Sequence, residues 1–403
     1  MIAEFLIGRH SQANTARAYQ MLAPGTQWRW VGRMGVLAGF LILGYYSVVA
    51  GWTLEYIFEA VSNSFAGKTP AEFISSFQSF SSNPWRPALW LTLFLLATHF
   101  IIVKGVEKGI EKSSKIMMPT LFIIILIRVG CSVTLPGAGK GIEFLLKPDF
   151  SKVDGNVFLG AMGQAFFSLS LGMAIMVTYG SYVKKEENLA KNAAIICGMD
   201  TLVALIAGFI IVPAVFATLG AEGVGKGAGF AFSSLAGVFQ QMPGGQFFGI
   251  LFYMLLLFAA LTSCISLVEG VVAFATERFG WKRTPTTIIL CVVMFLLGTI
   301  YTCSQAAFDI KGIWFDFKNG LTTPIFGDFM EFLTDRLMIP VCALGSCLFV
   351  GWAWKPQNAI REIELDGKPF RLKKAYSFLV KYLAPISIII IIVASFATGT
   401  TLS

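Results

Sequence analysis

The chain has 403 residues, of which 56% are apolar and only 13% charged, and it carries a formal net charge of +8. The charged share is about half that of a typical soluble domain, which excludes an ordinary globular protein in water. Apolar runs of about 20 residues make a bilayer the fitting solvent, and the absence of ten-residue alternating segments excludes a closed barrel, leaving a bundle of helices.

In chain order, residues 1–9 form an apolar stretch that is too short to span and is interrupted by Glu4. A secretory leader carries its positive charge before the apolar run, not after it as at Arg9, so the stretch reads as the cytoplasmic tail of a helix that begins upstream. Nine spans follow, at about 33–60, 86–104, 115–135, 157–182, 191–218, 246–278, 284–304, 329–353 and 375–398. Met34–Leu54, Gly155–Val183, Gln246–Val268, Thr284–Phe308 and Tyr382–Ser403 carry no Asp, Glu, Lys or Arg.

Alternate loops are basic. One set holds Arg9, Arg17, Arg29 and Arg33, then Lys104, Lys108, Lys112 and Lys115, and continues with Lys184, Lys185 and Lys191. Arg278, Lys282 and Arg283 belong to it, as does the run from Lys355 to Lys374. The positive-inside rule places this set in the cytoplasm and the C-terminus outside, so the surplus charge records orientation and not nucleic-acid binding. Arg128, Arg336 and Lys381 fall inside spans. The chain divides accordingly into residues 1–32, the end of a truncated helix with a cytoplasmic loop; 33–398, one membrane domain; and 399–403, a short external tail.

The longer outside loops are 61–85, 136–156, 219–245 and 305–328. Loop 219–245, rich in Gly and bearing Phe230, Phe232 and Phe239, suits a folded lid over a mouth, with a slack tether as the alternative. Gly-Ala-Gly-Lys-Gly (137–141) and Gly-Val-Gly-Lys-Gly (223–227) lack the spacing and the preceding strand of a phosphate loop. The seven Cys and two His have no metal-site or disulfide spacing, and the Cys read as small buried hydrophobes.

Three spans hold polar groups at depth. Phe-Phe-Ser-Leu-Ser-Leu-Gly (166–172) fits helix packing through small residues, and it equally fits a broken helix that turns freed backbone groups to a ligand. Thr262 and Ser263, beside Ala259 and Ala260, either bond back to their own helix or face a ligand. Asp200 lies nine residues beyond Lys191, or roughly 14 Å along a helix. An acid at that depth costs about 2.5–3.5 kcal/mol, so a functional partner is expected.

Gly-Gln-Ala-Phe-Phe-Ser-Leu-Ser-Leu-Gly (163–172) resembles the sixth-helix motif of the neurotransmitter:sodium symporter family. Glu-Phe-Leu-Ile-Gly-Arg (4–9) is similar to the end of that family's second helix, and Gly-Tyr-Tyr-Ser-Val-Val-Ala-Gly-Trp (44–52) to its third. Lys-Gly-Ile-Glu-Lys with Lys-Ile-Met-Met-Pro-Thr-Leu (108–121) resembles the entry of the fifth. Asp-Thr-Leu-Val-Ala-Leu-Ile-Ala-Gly (200–208) and Ala-Ala-Leu-Thr-Ser (259–263) resemble the seventh and eighth. The resemblance implies an all-α, polytopic helical membrane protein with an inverted-repeat transporter fold, here partial, its nine spans standing for helices three to eleven. It places the first helix and most of the second ahead of residue 1, and with them further ligands to both sodium ions and to the substrate.

The same resemblance implies the site residues. Tyr46 takes the position whose hydroxyl meets a substrate carboxylate, and Ile42, Phe167, Ser168, Ser170, Met173 and Leu267 fall at pocket-lining positions. Ser168 and Asp200 match one sodium site; Ala259 (through its carbonyl), Thr262 and Ser263 match the other. These are oxygen ligands, which suit a hard cation. Glu331 aligns with an outer gate acid and Glu277 with an inner one.

The function implied is sodium-coupled symport of an apolar or neutral amino acid across a bacterial inner membrane, since Ile42, Met173 and Leu267 make a greasy wall. Sodium ions are co-transported, no organic cofactor takes part, and the expected partners are the amino acid and membrane lipid, not nucleic acid. Chloride is not needed, because Asp200 supplies a negative charge where chloride-dependent relatives have Asn. The alternative is a truncated, nontransporting remnant. A channel would need a ring of acids or a filter sequence, and an enzyme would need a nucleophile with its base; neither pattern is present.

Overall fold

A helix satisfies its own backbone groups, so apolar runs long enough to cross a bilayer fold as helices. The computed structural model describes residues 1–147, 149–218, 228–240, 244–306, 310–312, 314–316 and 320–398. The chain opens with α1 (Ile2–Ser11), α2 (Thr15–Leu22) and the long α3 (Arg29–Val61). A short α4 (Pro70–Ser81) precedes α5 (Trp85–Ile102), and a π-helical turn at Val106–Glu111 leads into α6 (Lys112–Val133). Next come α7 (Ala138–Leu146), the pair α8 (Gly155–Ser168) and α9 (Ile175–Tyr182), and α10 (Leu189–Thr218). Two short helices, α11 (Ala228–Phe232) and α12 (Ser234–Gln240), precede α13 (Gly245–Phe279) and α14 (Arg283–Ala306). A small antiparallel sheet pairs β1 (Trp314–Asp316) with β2 (Gly320–Thr322), Phe315 opposite Leu321. Then α15 (Phe326–Glu331), α16 (Ile339–Leu348), α17 (Pro356–Ile363), α18 (Lys373–Phe378) and α19 (Ala384–Thr398) complete the molecule.

Among the described residues, eight continuous helical stretches are long and apolar enough to span. They match eight of the nine expected spans, seven of them to within four residues at either end, while the stretch 108–133 begins seven residues ahead of the expected 115. The ninth, 157–182, differs: it is two half-helices. The segment from Leu169 to Ala174 leaves the helix, and Ser170, Gly172 and Ala174 take φ of 53°, 74° and 66°. Such left-handed values are rare for non-glycine residues and mark a designed break, not a packing notch.

The bundle is organised on α3 and α13, of 33 and 35 residues, which pack along each other and against α5, α6 and α14. Their shared core includes Ile42, Leu43, Phe94, Tyr253 and Ile265. Close approach depends on small residues: a Cβ on Gly51 would lie 3.0 Å from the Leu91 backbone nitrogen. Small residues at such contacts are the usual device of membrane helices.

Residues 1–32, expected to be a helix tail and a loop, fold as α1, α2 and the start of α3. Leu6, Ile7 and Tyr19 are buried in a second core with Val177, Phe349 and Ile363. Arg9, also buried, donates to the Glu362 carboxylate at 2.9 Å and to the Glu187 carbonyl at 2.8 Å.

The outside loops carry structure as well. α4 begins at a capping box, in which the Thr69 backbone N–H donates to the Glu72 carboxylate at 2.6 Å and Glu72 returns the bond at 3.4 Å. These bonds hold the Glu72 carboxyl below its usual range. In loop 219–245, α11 and α12 bury Phe232 and Phe239 beside Tyr253, which supports the folded lid over the tether. The Phe230 side chain, residues 219–227 and 241–243, and the tail 399–403 lie outside the described residues.

Candidate functional site

The break in 169–174 faces α3, α6 and α13 across a cavity of about 290 Å³. α3 contributes Ile42 and Tyr46 four residues apart, hence on one helix face. The end of α8 brings Phe167 and Ser168, the break brings Ser170 and Met173, and α13 brings Thr262, Ser263 and Leu267. All seven residues expected at the substrate pocket therefore line one cavity. None of its lining residues is charged. The greasy wall of Ile42, Met173 and Leu267 is buried, whereas Phe167 and Ser168 are exposed.

Of the expected sodium ligands, Ser168, Thr262 and Ser263 line the same cavity, whereas Asp200 and Ala259 lie behind the lining and meet it through hydrogen bonds. Ser168 donates its hydroxyl hydrogen to the Asp200 carboxylate at 2.9 Å, joining the end of α8 to α10. On α13, Thr262 donates back to the carbonyls of Phe258 at 3.0 Å and Ala259 at 2.9 Å. That is the local bonding of a helical threonine, yet it engages only the hydrogen: the hydroxyl oxygen keeps two lone pairs. Ser263 faces the Tyr46 hydroxyl. Every candidate ligand is thus an oxygen, and the described residues hold no cluster of three His, Cys, Asp or Glu. Such a set fits a hard monovalent cation better than zinc or a redox metal.

The two acids expected at the gates lie at opposite ends of the bundle. Glu277, near the C-terminal end of α13, accepts from the Asn14 backbone at 2.8 Å and side chain at 2.7 Å, and from Arg17 at 2.8 Å. It bolts α2 to α13. Glu331, at the end of α15, accepts from the Tyr301 hydroxyl at 3.2 Å.

Several residues at the site were not expected. Met118, Ile175, Met176, Tyr179 and Ser266 also line the cavity, and Tyr179 donates to Ser266 at 2.9 Å. The spacing of Met173, Met176 and Tyr179 is a legible signal once the break is known. Glu4 is buried, and its carboxylate accepts the Gly172 N–H at 2.9 Å, inside the break. An acid interrupting an apolar run was the clue.

Comparison with known proteins places this architecture. Residues 77–402 match the Sodium:neurotransmitter symporter family. The chain is 36% identical to an uncharacterized sodium-dependent transporter, YhdH, of Bacillus subtilis, over 97% of this chain and 85% of the relative. It is 34% identical to an uncharacterized sodium-dependent transporter of Haemophilus influenzae, over 98% of this chain and 86% of that one. The fold is similar to the crystal structure of MhsT in complex with L-phenylalanine, with a TM-score of 0.87 and 39% identity over 98% of this chain and 87% of that one.

Proposed function

The chain belongs to the sodium:neurotransmitter symporter family, and from that premise we propose that this sodium-dependent, multi-pass membrane transporter carries an apolar, neutral amino acid and works without chloride. It is not an enzyme. The observation that carries the proposal is the charge-free cavity at the helix break, walled by Ile42, Met173 and Leu267. A charged side chain would enter it without a partner, whereas an aliphatic or aromatic one is matched by the wall. The zwitterionic end meets different groups. α8 ends and α9 begins at this wall, so carbonyls of one half-helix and amides of the other converge there, a pair suited to ammonium and carboxylate. Tyr46 is assigned to the substrate carboxylate. The phenylalanine held by the similar MhsT supports an amino acid as cargo.

Sodium enters as co-transported cargo. Ser168 with Asp200, and the Ala259 carbonyl with Thr262 and Ser263, are assigned to it by their oxygen chemistry. The Asp200 carboxylate both binds and balances a cation, which supports independence from chloride. Glu277, tied to α2, is assigned to the inner gate, and Glu331 to the outer.

The test is uptake of radiolabelled leucine and phenylalanine by proteoliposomes holding the protein under an inward sodium gradient. Uptake is expected to fall to background when choline replaces sodium. Uptake indifferent to sodium, or preference for lysine or glutamate, would overturn the proposal.

A further inference from the structure

Nearer the cytoplasmic ends of α3, α13 and α14 lies a second groove, of about 330 Å³. Its lining positions recur three and four residues apart on each helix, so three helices turn one face each to a common slot. The walls are apolar, with Leu37 and Phe40 from α3, Phe274 and Phe279 from α13, and Ile289 from α14. Several stay open to the surroundings: Leu37 is 49% exposed, Phe279 56% and Trp281 47%. In a membrane protein those surroundings are acyl chains.

The mouth of the groove has a different chemistry. Arg33 lines its cytoplasmic end, with its guanidinium carbon 4.9 Å from the Trp30 ring centre. Among the described residues the Arg33 side chain has no hydrogen-bond or carboxylate partner, and neither do the side chains of Arg29, Arg278 and Lys282, which lie within a turn of lining residues in sequence. The acids nearby are engaged elsewhere: Glu277 holds Asn14 and Arg17, and Glu269 holds Arg283. The mouth is therefore a site of uncompensated positive charge above a greasy slot, framed by Trp30 and Trp281 as interfacial aromatics are.

We propose that this groove binds an acidic phospholipid of the cytoplasmic leaflet, one acyl chain lying in the slot and the phosphate on Arg33. A zwitterionic lipid would bring its own cation to a mouth that already has an excess of them. Basic pockets between helices on this side of a membrane select anionic headgroups for that reason.

The test reads Trp281, which lines the slot. The protein is reconstituted in phosphatidylcholine vesicles containing either brominated phosphatidylglycerol or brominated phosphatidylcholine, and the Trp281 signal is taken as wild type minus Trp281→Phe. Half-quenching is expected at about fivefold less of the brominated acidic lipid, the size of one arginine's attraction to an anionic surface. Arg33→Gln should erase that preference, and Arg33→Lys, which keeps the charge and guards against a misfolded Gln variant, should retain most of it. Equal quenching by both lipids, a preference that survives Arg33→Gln, or one lost in Arg33→Lys would each overturn the proposal. So would quenching that disappears as protein density rises, since a second copy would then cover the groove.

Discussion

α13 and the α8–α9 pair line the same cavity, but they solve the problem of polar groups at depth in opposite ways. α13 runs 35 residues without interruption, and Thr262 is held by the carbonyls of its own helix. The α8–α9 pair leaves the regular helix between Leu169 and Ala174 and takes partners from other elements as well as from its own turns. Gly172 donates to Glu4 at 2.9 Å, and the Ala174 carbonyl accepts from Thr15 at 2.9 Å. Non-helical backbone survives at membrane depth only when protein or a cavity covers it. Here the cover is α1 and α2. Asn14, adjacent to Thr15, binds Glu277, so two neighbouring residues connect the break to the acid proposed as the inner gate. The difference teaches that one wall of the site is autonomous, whereas the other exists only through residues far away in sequence.

Substitutions at one glycine on each wall test this most severely. Gly172 has a φ of 74°, and a Cβ there would collide with the Ile339 carbonyl, whereas the nearest atom to a Cβ on Gly270 of α13 lies at 3.8 Å. Left-handed strain alone costs on the order of 1–3 kcal/mol. Gly172→Ala is expected to abolish uptake and lower the melting temperature in detergent. Gly270→Ala, which gains roughly 1 kcal/mol of helix propensity, should melt at or above wild type. A Gly172→Ala protein that melts and transports like wild type would erase the contrast between the walls.

A smaller effect is expected at Asp200, the carboxylate that the broken wall reaches through Ser168. Wild-type uptake should persist when gluconate replaces chloride. Asp200→Asn should lower uptake in gluconate by roughly tenfold or more, and chloride should restore part of it if the charge alone was missing. Collapse of wild-type uptake without chloride would remove the proposed role of Asp200.

The smallest effect belongs to the autonomous wall. Thr262→Val with Ser263→Ala should weaken sodium activation of uptake by about tenfold while the amount of protein at the membrane stays level, since a hydrogen-bonded oxygen to a charge is worth about 1.5–3 kcal/mol. Unchanged sodium activation would show that these hydroxyls serve only their own helix, and the two walls would then differ in function as well as in construction.

Much of this molecule is determined by local pattern. Apolar runs and alternating basic loops place the spans, because hydropathy and charge act within a stretch of about 20 residues and need no partner. The capping box at Thr69 and Glu72 is a signal of the same local kind, four residues long, although residues 61–85 read from the sequence only as a loop. The seven pocket positions followed from resemblance in short motifs, and the cavity gathers them all. The break itself was not decided by its residues. Phe-Phe-Ser-Leu-Ser-Leu-Gly suits a packed helix as well as an interrupted one, and the choice rests on Glu4, Thr15 and Ile339, which lie more than 150 residues away along the chain. Met118, Tyr179 and Ser266 joined the site for the same reason, and so did the charged mouth at Arg33, whose walls come from three helices. Periodicity states which face of a helix is apolar. Which other face it meets, and what is left between them, is a property of the packed bundle alone.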